Sequence, residues 1–448
     1  MAGSYKQSAA PSRSLLFSTS IAYTLSSAAS RGRNALPIGG NRVTFRCLLA
    51  AIIAALVTAC GPFEKARSPV DLAQKANELA QTSIIVDGHI DVPYRLNEEW
   101  VDVSFSTEDG DFDYPRAKTG GLNAPFMSIY IPAENETEDA RELAVKLIRS
   151  VNQIVDDSPD KFAIPFSVDD VRLHFNAGLI SLPMGLENGS PIGHDLEMVQ
   201  YFHDLGVRYV TLTHSLSNQI CDSSYDDNKQ WDGLSDFGFE VVKEMNRVGI
   251  MVDISHVSDA AFWDVMEITK VPVIASHSSV RYFTPDWERN INDAMIKRLA
   301  ESGGVVMINF GSTFVTGEAN KYSRARSDAY DAYIEENELE KNDELQTAFD
   351  DLYDRENGPY PYATLDETLD HFDHVVALVG IDHVGVGSDY DGVGDSLPVG
   401  LKDVSGYPNL VEGLLGRGYS EDDIKKILGE NLLRVWGDVE AYAQNSRT

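Results

Sequence analysis

Ser83-Ile-Ile-Val-Asp-Gly-His89-Ile-Asp91 is an apolar, β-branched run that ends abruptly in a histidine and a carboxylate. The same pattern recurs in Leu179-Ile-Ser-Leu-Pro-Met-Gly-Leu-Glu187, Tyr209-Val-Thr-Leu-Thr-His214, Ile250-Met-Val-Asp-Ile-Ser-His256, Val273-Ile-Ala-Ser-His277 and Val384-Gly-Val-Gly-Ser-Asp389. A strand buried on both faces of a parallel sheet reads as a short unbroken apolar run. When such strands close into a barrel, their C-terminal ends open onto one face. Residues far apart in sequence then meet in one pocket, where His, Asp and Glu together are ligands for a borderline or hard metal.

Working outward, the pattern predicts eight strands, at 83–89, 125–131, 178–186, 208–213, 250–255, 271–276, 304–310 and 383–388. Helical periodicity lies between them, over Glu138–Val155, Asp195–Leu205, Ser235–Val248, Ser258–Thr269, Asn292–Glu301 and Leu365–Val379. Gly206 and Gly249 follow two of these as helix C-terminal residues. Strands alternating with helices in this number argue for a (β/α)₈ TIM barrel over an open doubly wound sheet. Two insertions break the rhythm. Residues 94–124 read as a polar, Gly-rich loop over the barrel mouth, and the acidic stretch 312–362 as a helical excursion between strands 7 and 8. The tail Ser420–Trp436 reads as a helix, with Ser420 and Asp423 close to a capping box.

The 448 residues, 24% charged and 43% hydrophobic, suit one large globular domain with an N-terminal appendage. Net charge is −33, yet residues 1–59 contain Lys6, Arg13, Arg31, Arg33, Arg42 and Arg46 and no acid. The acidity therefore sits in the body of the chain, which would repel nucleic acid. Arg42 and Arg46 precede the apolar run Cys47–Ala59, too short to span a bilayer but suited to a signal peptide. Leu56-Val-Thr-Ala-Cys60 resembles a bacterial lipobox, so Cys60 is the expected lipidation site; a plain secretory signal is the alternative. The expected organisation is a leader at 1–59 (its first 41 residues an over-extended start or a long n-region), a tether and first helix at 60–81, and the barrel at 82–440. The expected address is the periplasmic side of a bacterial cell envelope, at the outer membrane, held by the lipid anchor alone. With Cys47 removed and Cys60 acylated, Cys221 has no partner, and the fold cannot rest on an internal disulfide.

Each strand-end residue has a chemical and a bland reading. His89 and Asp91, two apart at a strand end, face one side and can share a metal; the alternative is a surface turn. Glu187 ends an apolar strand, where a bare carboxylate is too costly, so it is metal-bound, paired or solvated. Its two oxygens can bridge two cations. His256 and His277 each follow a serine at the ends of consecutive strands, a coincidence that packing does not explain. Asp253 either supports that site or serves within its strand. His214 is a further ligand or a neutral donor to a substrate carbonyl. Asp389 is the candidate general base, with Asp391 as its alternative and turn formation before Gly392 as the bland role. The remaining histidines (His174, His194, His203, His371, His374 and His383) read as surface residues.

Taken in order, these motifs resemble the membrane (renal) dipeptidase family of bi-zinc barrel hydrolases over about residues 82–437. Further matching segments are Gly185-Leu-Glu187-Asn-Gly, Val242-Lys-Glu-Met-Asn-Arg-Val-Gly249, Arg289-Asn290 and Asn431-Leu-Leu-Arg434-Val. The resemblance implies two Zn²⁺ per chain: His89 and Asp91 on one, His256 and His277 on the other, Glu187 bridging. It implies that His214 and Arg289 contact substrate and that Asp389 handles the proton. The implied substrates are small dipeptides, D-residues tolerated at the C-terminal position, with a homodimer allowed and no nucleic-acid partner. The chain departs from the family in two places. Gly311 follows Asn309-Phe310 where other members carry a tyrosine, and the 312–362 insertion is longer than in the mammalian enzymes, which puts substrate fit on that side in question. Competing readings are another bimetal barrel amidohydrolase acting on cyclic amides or phosphoesters, and a non-catalytic binding lipoprotein. The first often bridges its metals through a carbamylated lysine, absent at His214; the second should have lost a ligand or Asp389.

Overall fold

A computed structural model describes residues 69–135 and 137–446. Cys60, the leader and the tether up to residue 68 lie outside the described residues. Eight parallel strands form a closed barrel: β1 (Ile85–Ile90), β2 (Leu122–Tyr130), β3 (Met184–Glu187), β4 (Val207–Thr211), β5 (Met251–Asp253), β6 (Ile274–Ala275), β7 (Val305–Ile308) and β8 (Val384–Val386). They pair in chain order, and β8 closes on β1. The register sets Tyr130 beside Glu187, Glu187 beside Thr211 and Thr211 beside Asp253 at the C-terminal rim. The expected (β/α)₈ barrel is therefore what the chain forms.

The inward side chains make their own core. Val86, Ala124, Phe126, Tyr209, Met251, Ile274, Val305 and Met307 fill the barrel, and the last helix, Asn431–Ser446, closes its lower end with Leu432, Trp436 and Val439. Trp436 is fully buried and meets Phe126 edge-on at 5.6 Å. A second core lies between the strands and the surrounding helices. Those helices start where the chain offers caps: Ser235 to Gly238 N, Ser258 to Ala261 N, and Asn292 to Ala294 and Met295 N. The Ser420–Asp423 capping box forms as expected, but the helix it opens passes through a π-helical turn at Lys426–Glu430 before the final helix.

Three expectations need correction. The run 178–186 is not one strand: Ile180–Ser181 pairs with Phe162–Ala163 in a separate two-stranded sheet, and the barrel strand starts at Met184, after Pro183. Pro183 has no N–H to continue a ladder, which suits a break between two sheets. Residues 94–124 are not all loop: Val92–Glu98 and Tyr114–Gly120 are helical, and β2 already begins at Leu122. His371 is not a surface residue. It is fully buried, accepts from Val280 N at 3.0 Å and donates to Val315 O at 2.9 Å. The 312–362 insertion is helical, as Ser312–Val315, Gly317–Asn337 and Asp343–Asn357.

Candidate active site

All the strand-end residues singled out above converge at the C-terminal rim. Glu187 stands at the centre, almost wholly buried. Its Oε2 lies 3.2 Å from His89 Nε2 and accepts from Ser128 Oγ at 2.9 Å. Its Oε1 lies 3.2 Å from His256 Nε2, 3.4 Å from His277 Nε2 and 3.6 Å from His214 Nε2. On the other side, His89 Nε2 is 3.4 Å from Asp91 Oδ2 and 4.0 Å from Asp389 Oδ1. The two oxygens of one carboxylate thus face two different groups of donors.

Backbone and packing hold the rings in place. His256, Asp389 and Asp391 sit at φ of +67°, +65° and +65°. His and Asp tolerate this left-handed region better than most residues, and it turns their side chains back over the pocket. Gly185 has no room for a side chain, because a Cβ there would meet the Tyr209 ring within 2.3 Å. That space lets Tyr209 rise through the barrel and bond His89 Nδ1 at 2.8 Å, which directs Nε2 to the pocket. Two buried carboxylates tie adjacent strand ends together. Asp87 accepts from His89 N, Ser388 N and the Tyr407 hydroxyl. Asp253 accepts from Ser255 N, Ser276 N and the hydroxyls of Thr211 and Ser276.

The charges of this cluster depend on one another. Burial disfavours ionised Glu187, but the charge of His89 and the close approach of His256 and His277 hold it well below the usual carboxylate range. Burial would lower His89; Tyr209, Glu187 and Asp91 outweigh it and raise it well above its ordinary value. Burial and the Arg289 charge keep His256 well below the usual imidazole range, and burial with the charges of His89 and Arg289 does the same to His277. Burial, and the nearby Asp91 and Glu187, raise Asp389 to about 7 against the pull of His89 and Arg289.

This donor set fits metal ions. Groups of His, Asp and Glu able to hold an ion are His89–Glu187–His277, Glu187–His214–His256 and His89–Asp91–Asp389. Several buried atoms here have no hydrogen-bond partner: His89 Nε2, Asp91 Oδ1, His214 Nδ1 and His256 Nδ1. His256 Nε2 and His277 Nε2 face each other across 2.8 Å, an arrangement for which neutral imidazoles need a shared proton or cation. Three buried carboxylates call for compensating positive charge, and imidazole with carboxylate suits a borderline divalent ion.

Of the two candidate bases, only Asp389 faces the cluster with an oxygen to spare. Its Oδ2 accepts from Asn309 Nδ2 at 2.6 Å, and Oδ1 points toward His89. Asp391 is engaged elsewhere, by Arg95 Nε at 2.9 Å and Asp111 N at 2.6 Å. Arg289 is buried beside His256 and donates to Ser278 Oγ, His277 O and His256 Nε2, its Nε left without a partner. His214 packs at 4.2 Å on the His256 ring and edge-on to Tyr130 at 4.8 Å. Burial holds it below its ordinary pKa. At Gly311 a Cβ would come within 2.9 Å of the Val393 side chain, which would have to shift to admit a larger residue; Tyr130, Tyr225 and Tyr360 line the cavity. Sequence reasoning missed Tyr209, Asn309, Asp87 and Tyr407. For Tyr209 the signal was available: it lies inside a strand, where a polar tip needs a buried partner.

A sequence profile of the family described as Membrane dipeptidase (Peptidase family M19) matches residues 73–448. Dipeptidase aclJ of Aspergillus oryzae is 34% identical over 396 residues, covering 86% of this chain and 82% of that protein. Among solved structures, the probable dipeptidase PvdM from Pseudomonas aeruginosa superposes with a TM-score of 0.71 at 26% identity, over 84% of this chain and 100% of that one. A metallo peptidase from Rhodobacter sphaeroides, liganded with a phosphinate mimic of the dipeptide L-Ala-D-Ala, superposes with a TM-score of 0.66 at 25% identity, over 80% of this chain and 99% of that one.

Proposed function

The chain belongs to the membrane dipeptidase family, peptidase family M19, and from that membership we propose how its own residues carry the reaction. It is a metallopeptidase that hydrolyses dipeptides. The proposal is that two zinc ions are held, one by His89 and Asp91 and the other by His256 and His277, with Glu187 shared. The observation that carries it is the division of the Glu187 carboxylate, Oε2 toward His89 and Oε1 toward the other histidines. When bound, the metal pair polarises the peptide carbonyl and makes water a stronger nucleophile near neutral pH.

The remaining steps belong to protein groups. Asp389, fixed by Asn309, takes a proton from the attacking water and returns it to the leaving amine. A carboxyl raised to about 7 by burial and by its acidic neighbours suits both halves of that transfer. His214, kept neutral by burial, donates toward the oxygen that gains charge, while Arg289 reads the substrate's C-terminal carboxylate through donors it does not spend on the protein. Tolerance of a D-residue at the C-terminal position is part of the proposal, supported by the L-Ala-D-Ala mimic bound to the Rhodobacter sphaeroides relative.

Anchoring through Cys60 on the periplasmic side, at the outer membrane, rests on the lipobox-like Leu56–Cys60 segment alone. Several lipid chains hold a protein stably where one does not. A Cys60→Ala protein that still sediments with membranes would contradict it. The catalytic proposal is tested with zinc-loaded enzyme on L-Ala-L-Ala, L-Ala-D-Ala and the C-terminal amide of each. Release of both amino acids from the two free acids, with the amides poor substrates, is expected. Equal turnover of acids and amides would remove Arg289 from its role, and no turnover of L-Ala-D-Ala would remove D-tolerance.

A further inference from the structure

The cavity over the cluster measures about 1050 Å³. That is at the upper end for pockets that enclose drug-sized ligands, about 300–1,000 Å³, and larger than a dipeptide of two small residues requires. The insertion supplies much of the extra wall. Thr313 and Phe314 come from its first helix, and Ser323, Arg324, Arg326 and Ser327 from the helix Gly317–Asn337. Ser323 and Ser327 are one helical turn apart, so with Arg324 they present one face to the cavity.

The two arginines on this wall differ. Arg326 is neutralised and immobilised. It lies 3.4 Å from Asp350 and 3.5 Å from Asp354, and its guanidinium stacks on Tyr360 at 5.3 Å and Tyr322 at 6.0 Å. Tyr360 in turn joins Thr313 and Ser323 in a cluster of hydroxyls, with Thr313 Oγ1 at 2.8 Å from Ser323 Oγ and 3.1 Å from the Tyr360 hydroxyl. Arg324 lines the same cavity from an exposed position, and its side chain has no ion pair or hydrogen bond among the described residues. In a chain with 70 acidic residues against 37 basic ones, a guanidinium beside a cavity without a carboxylate is a charge left for a ligand. Other lining residues, Asp227, Asp286 and Glu288, are acidic. They repel a second anionic group, so one beyond the carboxylate that Arg289 reads is drawn to the insertion's wall.

Resting on the dipeptidase reading above, we propose that the 312–362 insertion builds an outer subsite for a second anionic group on the substrate. Arg324 supplies the charge that reads it, and the Thr313–Ser323–Tyr360 hydroxyls line its floor. The chemical class is a dipeptide with a side-chain carboxylate in addition to its C-terminal one.

The test compares kcat/KM for Ala-Glu against Ala-Gln and for Glu-Ala against Gln-Ala, with full-length zinc-loaded enzyme. The wild type should favour the Glu peptide at one of the two positions by about twofold to fivefold, the upper range of an exposed ion pair. Within Arg324→Gln the ratio should fall to about one, in Arg324→Glu below one, and in Arg324→Lys it should survive. Raising the salt should shrink the wild-type ratio. Release of amino acids from the Gln peptides reports the dipeptidase reading by itself. A chain that turns them over with no Glu preference, or keeps the preference in Arg324→Gln, retains that reading and loses the subsite. A chain that turns over none of the four loses both.

Discussion

At the N-terminal ends of the strands, buried and half-buried polar side chains bond the main chain. Arg208 donates to the carbonyls of Phe166, His203 and Val207, Asn431 to those of Ile381 and Val384, and Arg434 to those of Gly303 and Asp382. At the C-terminal ends Asp87 and Asp253 also bond the main chain, but the residues of the cluster itself face other titratable side chains. Glu187 faces four histidines, and buried atoms of His89, Asp91, His214 and His256 are left without hydrogen bonds. A buried polar atom without a partner costs about 1–3 kcal/mol. The lower end is thus built for stability, whereas the upper end is destabilised until a ligand satisfies it. The same division of labour holds for barrels of this kind in general.

The comparison can be broken from either end. At the upper end, Asp389→Asn should lower kcat by about 10²–10⁴-fold, the usual span for a general acid–base group, while leaving metal content and melting temperature near wild type. A variant with normal kcat would move the proton transfer to solvent. Tyr209→Phe removes only the hydroxyl that orients His89. It should weaken metal affinity by about 10–100-fold, as loss of a hydrogen bond behind a ligand does, and excess zinc should restore turnover. If zinc affinity is unchanged, packing alone orients the ring.

At the lower end, Asn431→Ala leaves the carbonyls of Ile381 and Val384 unsatisfied. The expected loss is about 1–3 kcal/mol of stability by denaturant unfolding, with kcat of the folded enzyme unchanged. A fall in kcat of the fully folded variant would mean that the two ends are coupled. Glu440 and the Trp436 Nε1 run against the contrast; Glu440 is a carboxylate near Arg208 with Oε1 buried and unpartnered. Burial raises it to about 7 from the usual 4.5. A carboxyl raised on folding stabilises fully below its unfolded pKa, and that contribution is lost as pH climbs from about 4.5 through about 7. Glu440→Gln should therefore gain on wild type at pH 8 but not at pH 4. After discounting for its partial exposure, the gain is on the order of 1 kcal/mol. Equal melting curves at both pH values would place Glu440 in water.

Much of this contrast was legible in the chain. Seven residues quoted at the strand ends, from His89 and Asp91 to Asp389, meet in one cluster, because an apolar run with an abrupt polar end fits a buried strand emerging at a rim. Residues that act across strands were harder to see. Tyr209 reaches His89 only because Gly185 clears its path, and that depends on register, not on local pattern. The apolar run at 179–187 hides a change of sheet at Pro183. The choice between Asp389 and Asp391 was likewise open, since it turns on Arg95, from the helix Val92–Glu98, and Asp111, from the segment that follows it. The insertion gave the least, its acidic composition describing a solvated surface and concealing the arginine on its inner face.

The most direct measurement is metal stoichiometry in wild type and in Glu187→Ala, read by elemental analysis after dialysis. Two zinc ions per chain are expected in the wild type. Chelation should abolish dipeptide hydrolysis and added zinc should restore it. Loss of the shared carboxylate should weaken both sites together, so that Glu187→Ala retains fewer than two ions and little activity. A wild type that hydrolyses dipeptides without metal, or a Glu187→Ala protein that keeps both ions and full turnover, would contradict the assignment of Glu187 as the residue the two metals share.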